Sequence, residues 1–501
     1  MNGRSMKVII ACVLGALMLG GCAKVQQKDE QEEEKMEIVG IYEAEEGTLS
    51  PNLSAQNSIS GFSGSGYAEG FEQDGDACSF QITVEEAGFY DLQFTSAGIG
   101  GYKENYVMAD DISIGNLVSE STDFTDMTLK RTYLDAGEHQ IQVLKYWGYI
   151  ALDKLTVIKS PALPEDYYQV SAKLCNPNAD DNAKRVMSYL ADNYGKNVIS
   201  GQYCDQGLYG QEMACIWKVT GNFPAMVGLD MIEYSPSRAA NGSEGKSVDY
   251  AIEAWEAGAL VTMCWHWNAP VDYLTGQWYS GFYKEHTNID LDKIMNGQDE
   301  AGYQELLSDM DVIAKELQKL KEAGVPILWR PLHEASGGWF WWGNCEAASY
   351  IELYRLMYDK FTNEYGLNNL IWVWNGQDKN WYPGDDVVDI VGEDIYPGEK
   401  VYSSQMNKFM EVHDYPDSGK MVVMSENGCL FDPDLAIRDG AMWGYFGTWG
   451  GEFVTNSGAL NIYSEKYTEE AMLKKVYEHE NVIVLKELPD LKTYPIREDA
   501  K

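Results

Sequence analysis

The chain has 501 residues, 45% of them hydrophobic and 23% charged, and this composition excludes a mainly disordered or collagen-like protein. Its 78 acidic residues outnumber its 38 basic residues, and a net charge of −40 repels phosphate backbones, so we expect no nucleic-acid partner. The 15 Trp, 33 Tyr and 14 Phe predict either large cores or a sugar-binding surface, because apolar sugar faces stack on exposed aromatic rings.

Residues 1–22 have the pattern of an export signal. Two basic residues precede an apolar run at 8–19, which is too short to span a membrane. The next residues, Leu-Gly-Gly-Cys, resemble the lipobox of bacterial lipoproteins, in which the cysteine (here Cys22) carries lipid. We expect an exported cell-surface lipoprotein that touches the membrane through this anchor alone, and a plain secretory signal is the alternative. The polar residues 23–37 are expected to form a tether.

Seven of the nine cysteines lie beyond residue 22. An odd number of scattered cysteines is not a disulfide framework, and no Cys-x-x-Cys pair or histidine cluster has the spacing of a zinc site. We expect most of them to be small buried side chains. One disulfide among the seven is left open.

Residues 38–158 have the pattern of an all-β domain. Apolar and polar residues alternate in short runs such as 79–84, 89–94 and 140–144, and turns that contain glycine separate these runs. This pattern predicts a β-sandwich.

A proline-containing linker at 159–168 leads to a different pattern over residues 169–490. An amphipathic helix is predicted at 178–195, and eight short apolar runs follow it. The runs lie at 198–201, 224–228, 260–264, 327–329, 370–374, 388–392, 421–424 and 441–443. With helices between several of them, they predict a (β/α)8 TIM barrel. A doubly wound sheet is the alternative, but no glycine-rich phosphate loop follows the first run.

Polar and aromatic residues come directly after these predicted strands. The carboxyl ends of barrel strands meet at one face, where catalytic residues lie. Ionisable groups there are costly unless they are paired or functional. Glu334 follows the fourth strand and Glu426 the seventh, and two carboxyl groups can protonate a leaving glycosidic oxygen and meet the developing cation. A structural ion pair would explain either glutamate alone better than it explains both.

Several motifs in this region resemble glycoside hydrolase family 26. The run 330–343, RPLHEASGGWFWWG, is similar to the acid/base segment of that family, and the run 425–428, SENG, to its nucleophile segment. Residues 265–266 and 394–396 match two further positions. The resemblance implies a retaining β-mannanase in most members, whereas a minority act on mixed-linkage β-glucan or β-1,3-xylan.

The resemblance also implies roles for single residues. Glu334 would be the general acid/base and Glu426 the nucleophile, with Tyr396 as its hydrogen-bond donor. We expect apolar neighbours such as Trp339, together with the second carboxylate, to raise the pKa of Glu334. The expected substrate-binding residues of the barrel are His266, Arg330, His333, Trp339, Asp394, Tyr396 and Trp449.

Alternatives stay open at several of these positions. His266 and His333 are expected to orient the acid/base and sugar hydroxyls, but hydrogen-bonded histidines at the top of a barrel are the alternative. Trp449 is expected to be a sugar platform, with rim packing as its alternative. Trp341 and Trp342 are open between the core and a subsite.

The N-terminal domain resembles family 35 carbohydrate-binding modules. The resemblance is carried by YEAE at 42–45, SGFSGSGY at 60–67 and ALDKL at 151–155. It implies a structural calcium, for which the matching ligands are Glu43, Glu45 and Asp153, and oxygen ligands suit Ca²⁺. An exposed acidic strand is the alternative. Trp147 is expected to stack on sugar, with a buried tryptophan as the alternative.

The leading hypothesis is a surface-anchored, retaining endo-β-1,4-mannanase that binds β-mannan polysaccharide or oligosaccharide. Under this hypothesis we expect no cofactor to take part in catalysis. The same chemistry on mixed-linkage β-glucan or β-1,3-xylan is a second hypothesis. A non-catalytic glycan-binding lipoprotein is a third, but it does not require the two glutamates to occur together with Asp394 and Tyr396.

Overall fold

The computed structural model describes residues 37–456 and 462–501. Residues Ile38–Lys501 form one compact unit that contains an all-β sandwich and a closed parallel barrel. The predicted β-sandwich and (β/α)8 barrel are therefore confirmed. Among the described residues, no helix is long and apolar enough to cross a membrane.

The sandwich consists of two antiparallel sheets. Its strands in chain order are β1 (Ile38–Glu43), β2 (Thr48–Leu49), β3 (Ser54–Gln56), β4 (Tyr67–Glu69), β5 (Ala77–Val84), β6 (Gly88–Gly98), β7 (Lys103–Ala109), β8 (Ile112–Ser119), β9 (Thr125–Leu134), β10 (Gly137–Leu144) and β11 (Ile150–Lys159). One sheet has the order β3-β4-β11-β6-β9, with β1 also paired to β11, and the other has the order β2-β5-β10-β7-β8. Alternate residues such as Phe80, Ile82 and Val84 point into the shared core, which explains the period of two in the sequence.

Eight parallel strands close the barrel in sequence order. They are β13 (Gly201–Tyr203), β14 (Met226–Asp230), β15 (Leu260–Trp265), β16 (Ile327–Pro331), β17 (Leu370–Trp374), β18 (Ile390–Ile395), β19 (Met421–Asn427) and β20 (Phe446–Thr448). A separate pair, β12 (Val198–Ile199) and β21 (Val482–Ile483), lies outside the barrel. Two predicted barrel strands were therefore misplaced: 198–201 divides between β12 and β13, and the last strand starts at Phe446 instead of 441.

The helices of the described residues lie between and after these strands. They are α1 (Asp181–Asn193), α2 (Gln211–Thr220), α3 (Pro236–Ala239), α4 (Ser247–Glu256), α5 (Leu291–Met295), α6 (Glu300–Glu322), α7 (Ala347–Asp359), α8 (Met406–His413), α9 (Pro433–Asp439) and α10 (Glu470–Glu478). Helix α1 starts later than predicted because the side chain of Asp180 accepts a hydrogen bond from the Ala183 N–H and caps it.

The sandwich packs directly against the barrel. Asn407 of α8 donates a side-chain hydrogen bond to the Ile114 carbonyl at 2.7 Å, and Arg131 Nε donates to the Asp439 carbonyl at 2.9 Å. The linker region takes part as well, since the Tyr168 hydroxyl donates to the Gly440 carbonyl at 2.5 Å. These hydrogen bonds join the two domains at several points.

Candidate active site

Three carboxylates meet at the carboxyl end of the barrel. Glu426 and Asp394 lie in β19 and β18, and Glu334 follows β16. One oxygen from each of the three lies within 4.8 Å of an oxygen from each of the others. The structure therefore brings together two glutamates that are 92 positions apart in the sequence.

Both oxygens of Glu426 accept hydrogen bonds. Arg330 Nη2 donates to Oε1, and the Tyr396 hydroxyl donates to Oε2 at 2.5 Å. Burial of the hydroxyl group, together with the negative charge of Glu426, raises the pKa of Tyr396 well above its ordinary value, so the hydroxyl keeps the proton that it donates. Two donors, one of them cationic, therefore hold both oxygens of Glu426 in place.

Glu334 has the opposite environment. Burial raises the pKa of its carboxyl group to about 9, and the negative charges of Asp394 and Glu426 add to the effect. Glu334 is therefore protonated at neutral pH. Trp339 has a different effect from the one expected, because its indole N–H donates to Glu334 Oε2 at 2.9 Å and so favours the ionised form.

The turn that presents Glu334 has an unusual backbone. Leu332 and Glu334 both have positive φ angles, 53° and 54°, in the left-handed region that side chains other than glycine rarely adopt. Three hydrogen bonds hold the turn: Glu334 N–H donates to the Asn375 carbonyl (2.9 Å), Trp342 Nε1 to the His333 carbonyl (2.8 Å) and the Tyr350 hydroxyl to the Leu332 carbonyl (3.0 Å). This support is what maintains the strained turn.

Trp341 and Trp342 belong to the core. Both side chains are fully buried, and Trp341 Nε1 donates to the Trp267 carbonyl at 2.7 Å. Their contribution is to hold the loop that carries the acid group, so the structure excludes a subsite role for them.

His266 and His333 lie edge to face, with their Nε2 atoms 3.2 Å apart. Burial lowers the pKa of His333 well below its ordinary value, and the nearby charge of Arg330 adds to this, so His333 is neutral. Nδ1 of His266 lies 2.6 Å from Oδ2 of Asp230, the last residue of β14. The sequence analysis missed Asp230, whose only signal is its position at the end of a barrel strand.

Trp449 is partly exposed beside the histidine pair. Its ring lies 4.7 Å from the ring of Tyr203 and 5.8 Å from that of His266, and the backbone N–H of Trp449 donates to the Asn427 carbonyl at 2.9 Å. Tyr203 also accepts a hydrogen bond from Arg330 Nε at 3.2 Å. Trp449 thus offers an aromatic surface close to the carboxylates, and Tyr203 connects it to Arg330.

Arg330 and Asp394 have a different position from the other expected substrate-binding residues. Neither side chain has exposed surface, and Arg330 Nη1 lies 3.0 Å from Asp394 Oδ2. Ser425 Oγ donates to the other oxygen of Asp394 at 2.7 Å. A fully buried ion pair cannot contact a sugar in this arrangement, so these two residues position Glu426, and their expected role as substrate ligands is corrected.

Trp147 lies on the surface of the sandwich, which excludes the alternative of a buried tryptophan. Its side chain is 53% exposed, its ring centroid lies 5.6 Å from that of Tyr102, and Lys103 Nζ lies over the ring at 5.4 Å from the centroid. Tyr146 and Tyr149 are exposed nearby in the sequence. An exposed aromatic ring is suited to stacking on a sugar.

Glu43, Glu45 and Asp153 surround the loop 63–66 of the sandwich. Ser63 Oγ donates to Glu43 Oε2 at 2.8 Å, and the Ser63 N–H donates to Asp153 Oδ1 at 2.8 Å. The Gly66 N–H donates to Glu45 Oε1 at 3.0 Å. The loop therefore brings together carboxylates from the two ends of the sandwich sequence.

This arrangement offers carboxylate oxygens of the kind that a hard cation binds, although the Lys154 ammonium already lies 3.6 Å from Asp153 Oδ2. Glu45 Oε2 is buried and has no hydrogen-bond partner among the described residues, and Asp153 is fully buried. Among those residues, three ligating side chains come within 4.8 Å of one another only at Glu334–Asp394–Glu426 and at Asp230–Cys264–His266. An ion at the 63–66 loop would therefore have to draw the three carboxylates closer together.

Family models match both domains of the chain. Residues 175–487 match glycosyl hydrolase family 26, and residues 40–160 match carbohydrate binding module family 35. The chain belongs to glycosyl hydrolase family 26. It is therefore a glycoside hydrolase, and the non-catalytic hypothesis is wrong.

Curated relatives of this family 26 enzyme match over most of its length. A mannan endo-1,4-beta-mannosidase of Thermothelomyces thermophilus is 37% identical over 452 residues, which are 89% of this chain and 90% of the relative. A mannan endo-1,4-beta-mannosidase B of Piromyces sp is 34% identical, and the match covers 89% of this chain and 77% of the relative.

Solved structures of the family superimpose on both domains. The GH26-CBM35 beta-(1,4)-mannanase of Podospora anserina has a TM-score of 0.62 and 35% identity, and the match covers 91% of this chain and 99% of the other. A ruminal GH26 endo-beta-1,4-mannanase has a TM-score of 0.64 and 29% identity, with 90% and 98% covered.

Two further expectations concern the cysteines. Cys22, the expected lipidation site, lies outside the described residues. The seven remaining cysteines are all described and all are free thiols, with Cys78, Cys204, Cys215, Cys264 and Cys429 buried.

Proposed function

We propose that this family 26 enzyme is a retaining endo-β-1,4-mannanase. The observation that carries the mechanism is the close approach of Glu334 and Glu426, since one carboxylate oxygen of each lies within 4.8 Å of the other. Retaining glycosidases place their carboxyl groups about 5–5.5 Å apart, whereas inverting enzymes leave about 6.5–9.5 Å for a water molecule. The names of the relatives, all mannan endo-1,4-beta-mannosidases, support mannan as the substrate.

The proposed reaction has two steps. Glu426 attacks the anomeric carbon while Glu334 gives its proton to the leaving oxygen, which breaks the glycosidic bond and forms a glycosyl ester on Glu426. Glu334, now ionised, takes a proton from water, and the water oxygen displaces Glu426. The raised pKa of Glu334 keeps the proton on this group until it is transferred, and the donors on Glu426 hold the nucleophile in position.

The test is release of reducing sugar from β-mannan, mixed-linkage β-glucan and β-1,3-xylan measured side by side. We expect the highest kcat/KM on mannan and loss of all activity in Glu426→Gln. The matched control is Glu300→Gln, an exposed glutamate on α6 that should keep full activity. A preference for either of the other two glycans would change the substrate, and inversion at the anomeric carbon would overturn the mechanism.

We further propose that the enzyme is attached to the cell surface by lipid on Cys22. The support is the apolar run followed by the Leu-Gly-Gly-Cys sequence, and a diacylated cysteine provides lasting attachment. Cys22→Ala should move the enzyme from the membrane to the soluble fraction. Continued sedimentation with membranes would contradict the anchor.

A structural calcium held by Glu43, Glu45 and Asp153 is proposed for the sandwich. The unpaired buried oxygen of Glu45 and the buried carboxylate of Asp153 support it. A bound ion would join β1 to β11 at the ends of the sandwich sequence. Trp147 is proposed as the sugar-stacking residue of this module on the basis of its exposure.

A further inference from the structure

Asp230 makes three contacts to the backbone and side chains beside it. Its Oδ1 accepts the backbone N–H groups of Ile232 at 2.9 Å and His266 at 3.1 Å. Its Oδ2 lies 2.6 Å from Nδ1 of His266. The His266 and Asp230 side chains are 13% and 14% exposed, so water competes little for this contact.

The contact determines where His266 carries its proton. The carboxyl group of Asp230 already accepts two backbone N–H groups, so it acts as an acceptor here and Nδ1 of His266 is the protonated nitrogen. In the neutral ring Nε2 is then a bare acceptor. His333 must supply the hydrogen for the 3.2 Å contact between the two Nε2 atoms.

The same reasoning extends to His333. This ring is neutral and carries one N–H, which the contact with His266 places on Nε2. Its Nδ1 is then a bare acceptor, and Nδ1 is the nitrogen that is buried without a hydrogen-bond partner among the described residues. The reversed arrangement would leave a buried N–H unpaired at that position, and orphaned N–H groups are rarer than under-satisfied acceptors.

We propose that Asp230 is a positioning residue that fixes the tautomers of both histidines and hence the direction of the hydrogen bond from His333 to His266. The inference rests on the proposed glycosidase function. His333 directly precedes Glu334, and His266 lies beside Trp449, so the two rings form part of the wall near the acid group. Their tautomers decide which donors and acceptors that wall presents.

Asp230→Asn tests the proposal with little change in shape. The backbone N–H groups keep the amide oxygen as their acceptor, so the NH₂ group faces His266 Nδ1 and requires it to be an acceptor. The proton of His266 then moves to Nε2, and that of His333 to Nδ1. Correlated ¹H–¹⁵N spectra of the six histidines, assigned with single His→Gln variants, report each tautomer directly.

The expected result is an exchange of tautomers in both rings of Asp230→Asn. We expect kcat on mannan to fall roughly tenfold to a hundredfold, as when a residue of an active site loses the hydrogen-bond partner that orients it. KM should change little. The control is Asp205→Asn, which removes a nearby negative charge without a described hydrogen bond to either ring. It should leave both tautomers unchanged.

Unchanged tautomers in folded Asp230→Asn would overturn the proposal. If this variant does not fold, the unmodified enzyme decides the matter: protons on His266 Nε2 and His333 Nδ1 would overturn it as well. The spectra do not depend on the substrate. Failure to cleave mannan, with the expected tautomers present, would therefore count against the proposed function and not against the role of Asp230.

Discussion

The Tyr396 hydroxyl lies 2.5 Å from Glu426 Oε2, while Arg330 donates to the other oxygen of the same carboxylate. The two donors differ in exposure, because Arg330 is fully buried and the Tyr396 side chain is 43% exposed. Removal of the tyrosine hydroxyl should therefore affect the reaction much more than the fold.

Tyr396→Phe should lower kcat/KM on mannan by roughly tenfold to a hundredfold, because a hydrogen bond to a charged group contributes about 1.5–3 kcal/mol. The melting temperature should stay close to that of the unmodified enzyme. Steady-state kinetics and thermal unfolding measure the two effects. Tyr146→Phe, an exposed tyrosine of the sandwich, is the control, and an equal loss of activity in both variants would contradict the assigned contact.

The Glu334→Gln variant should become more stable relative to the unmodified enzyme as the pH rises. Folding raises the pKa of this carboxyl from 4.5 to about 9. Between these values the unfolded chain ionises Glu334 and the folded chain does not, so the group loses its stabilising contribution as the pH rises through that interval. Glutamine has no such loss.

The difference in melting temperature between Glu334→Gln and the unmodified enzyme should therefore grow from about pH 5 to about pH 8. Glu300→Gln, with an exposed side chain, should show no such trend. A constant difference over this range would mean that Glu334 is already ionised in the folded enzyme.

Much of the barrel could be predicted because its strands are buried on both sides and appear as continuous apolar runs. Glu334 and Glu426 were recognisable since each follows such a run within a motif. Asp230 and Tyr203 were not, because a single polar residue at a strand end has many explanations. Their roles depend on contacts with residues more than 30 positions away, which only the closed barrel brings together.

The strand boundaries were harder to predict for a physical reason. Residues 198–203 are all buried, so hydrophobicity cannot distinguish the outer strand β12 from the barrel strand β13. The residue types around Glu334 do not indicate its left-handed backbone conformation either. Hydrogen bonds from Trp342 and Tyr350 stabilise it, and neither residue carries a local signal for such a turn.

Trp147→Ala should weaken binding of the full chain to mannan roughly tenfold, as expected when an exposed aromatic anchor is removed. Affinity electrophoresis in gels that contain mannan measures the binding. Trp217 of α2 is a matched control, since its side chain is similarly exposed on the barrel. Hydrolysis of short soluble oligosaccharides should be unchanged, and undiminished retardation of Trp147→Ala would contradict its assignment.

Chelation should lower the melting temperature of the full chain, because a metal that binds only the folded state stabilises it by mass action. Glu45→Gln should remove this response, whereas Glu46→Gln, an exposed neighbour, should keep it. Elemental analysis should find calcium in the purified enzyme. An unchanged melting temperature together with no bound calcium would rule out the site.

Azide should partly rescue Glu334→Ala with retention of the β configuration, whereas any azide that takes the place of the nucleophile in Glu426→Ala would give the α-azide. Without Glu334 the cleavage of mannan collapses, but an aryl glycoside with a good leaving group needs little protonation and still forms the ester on Glu426. This intermediate accumulates because hydrolysis needs the missing base. Azide needs no base and displaces Glu426 to give a glycosyl azide of β configuration, whose anomeric proton identifies it by NMR. An α-azide from Glu334→Ala would show a single displacement, which would mean that Glu334 and Glu426 act across a water molecule.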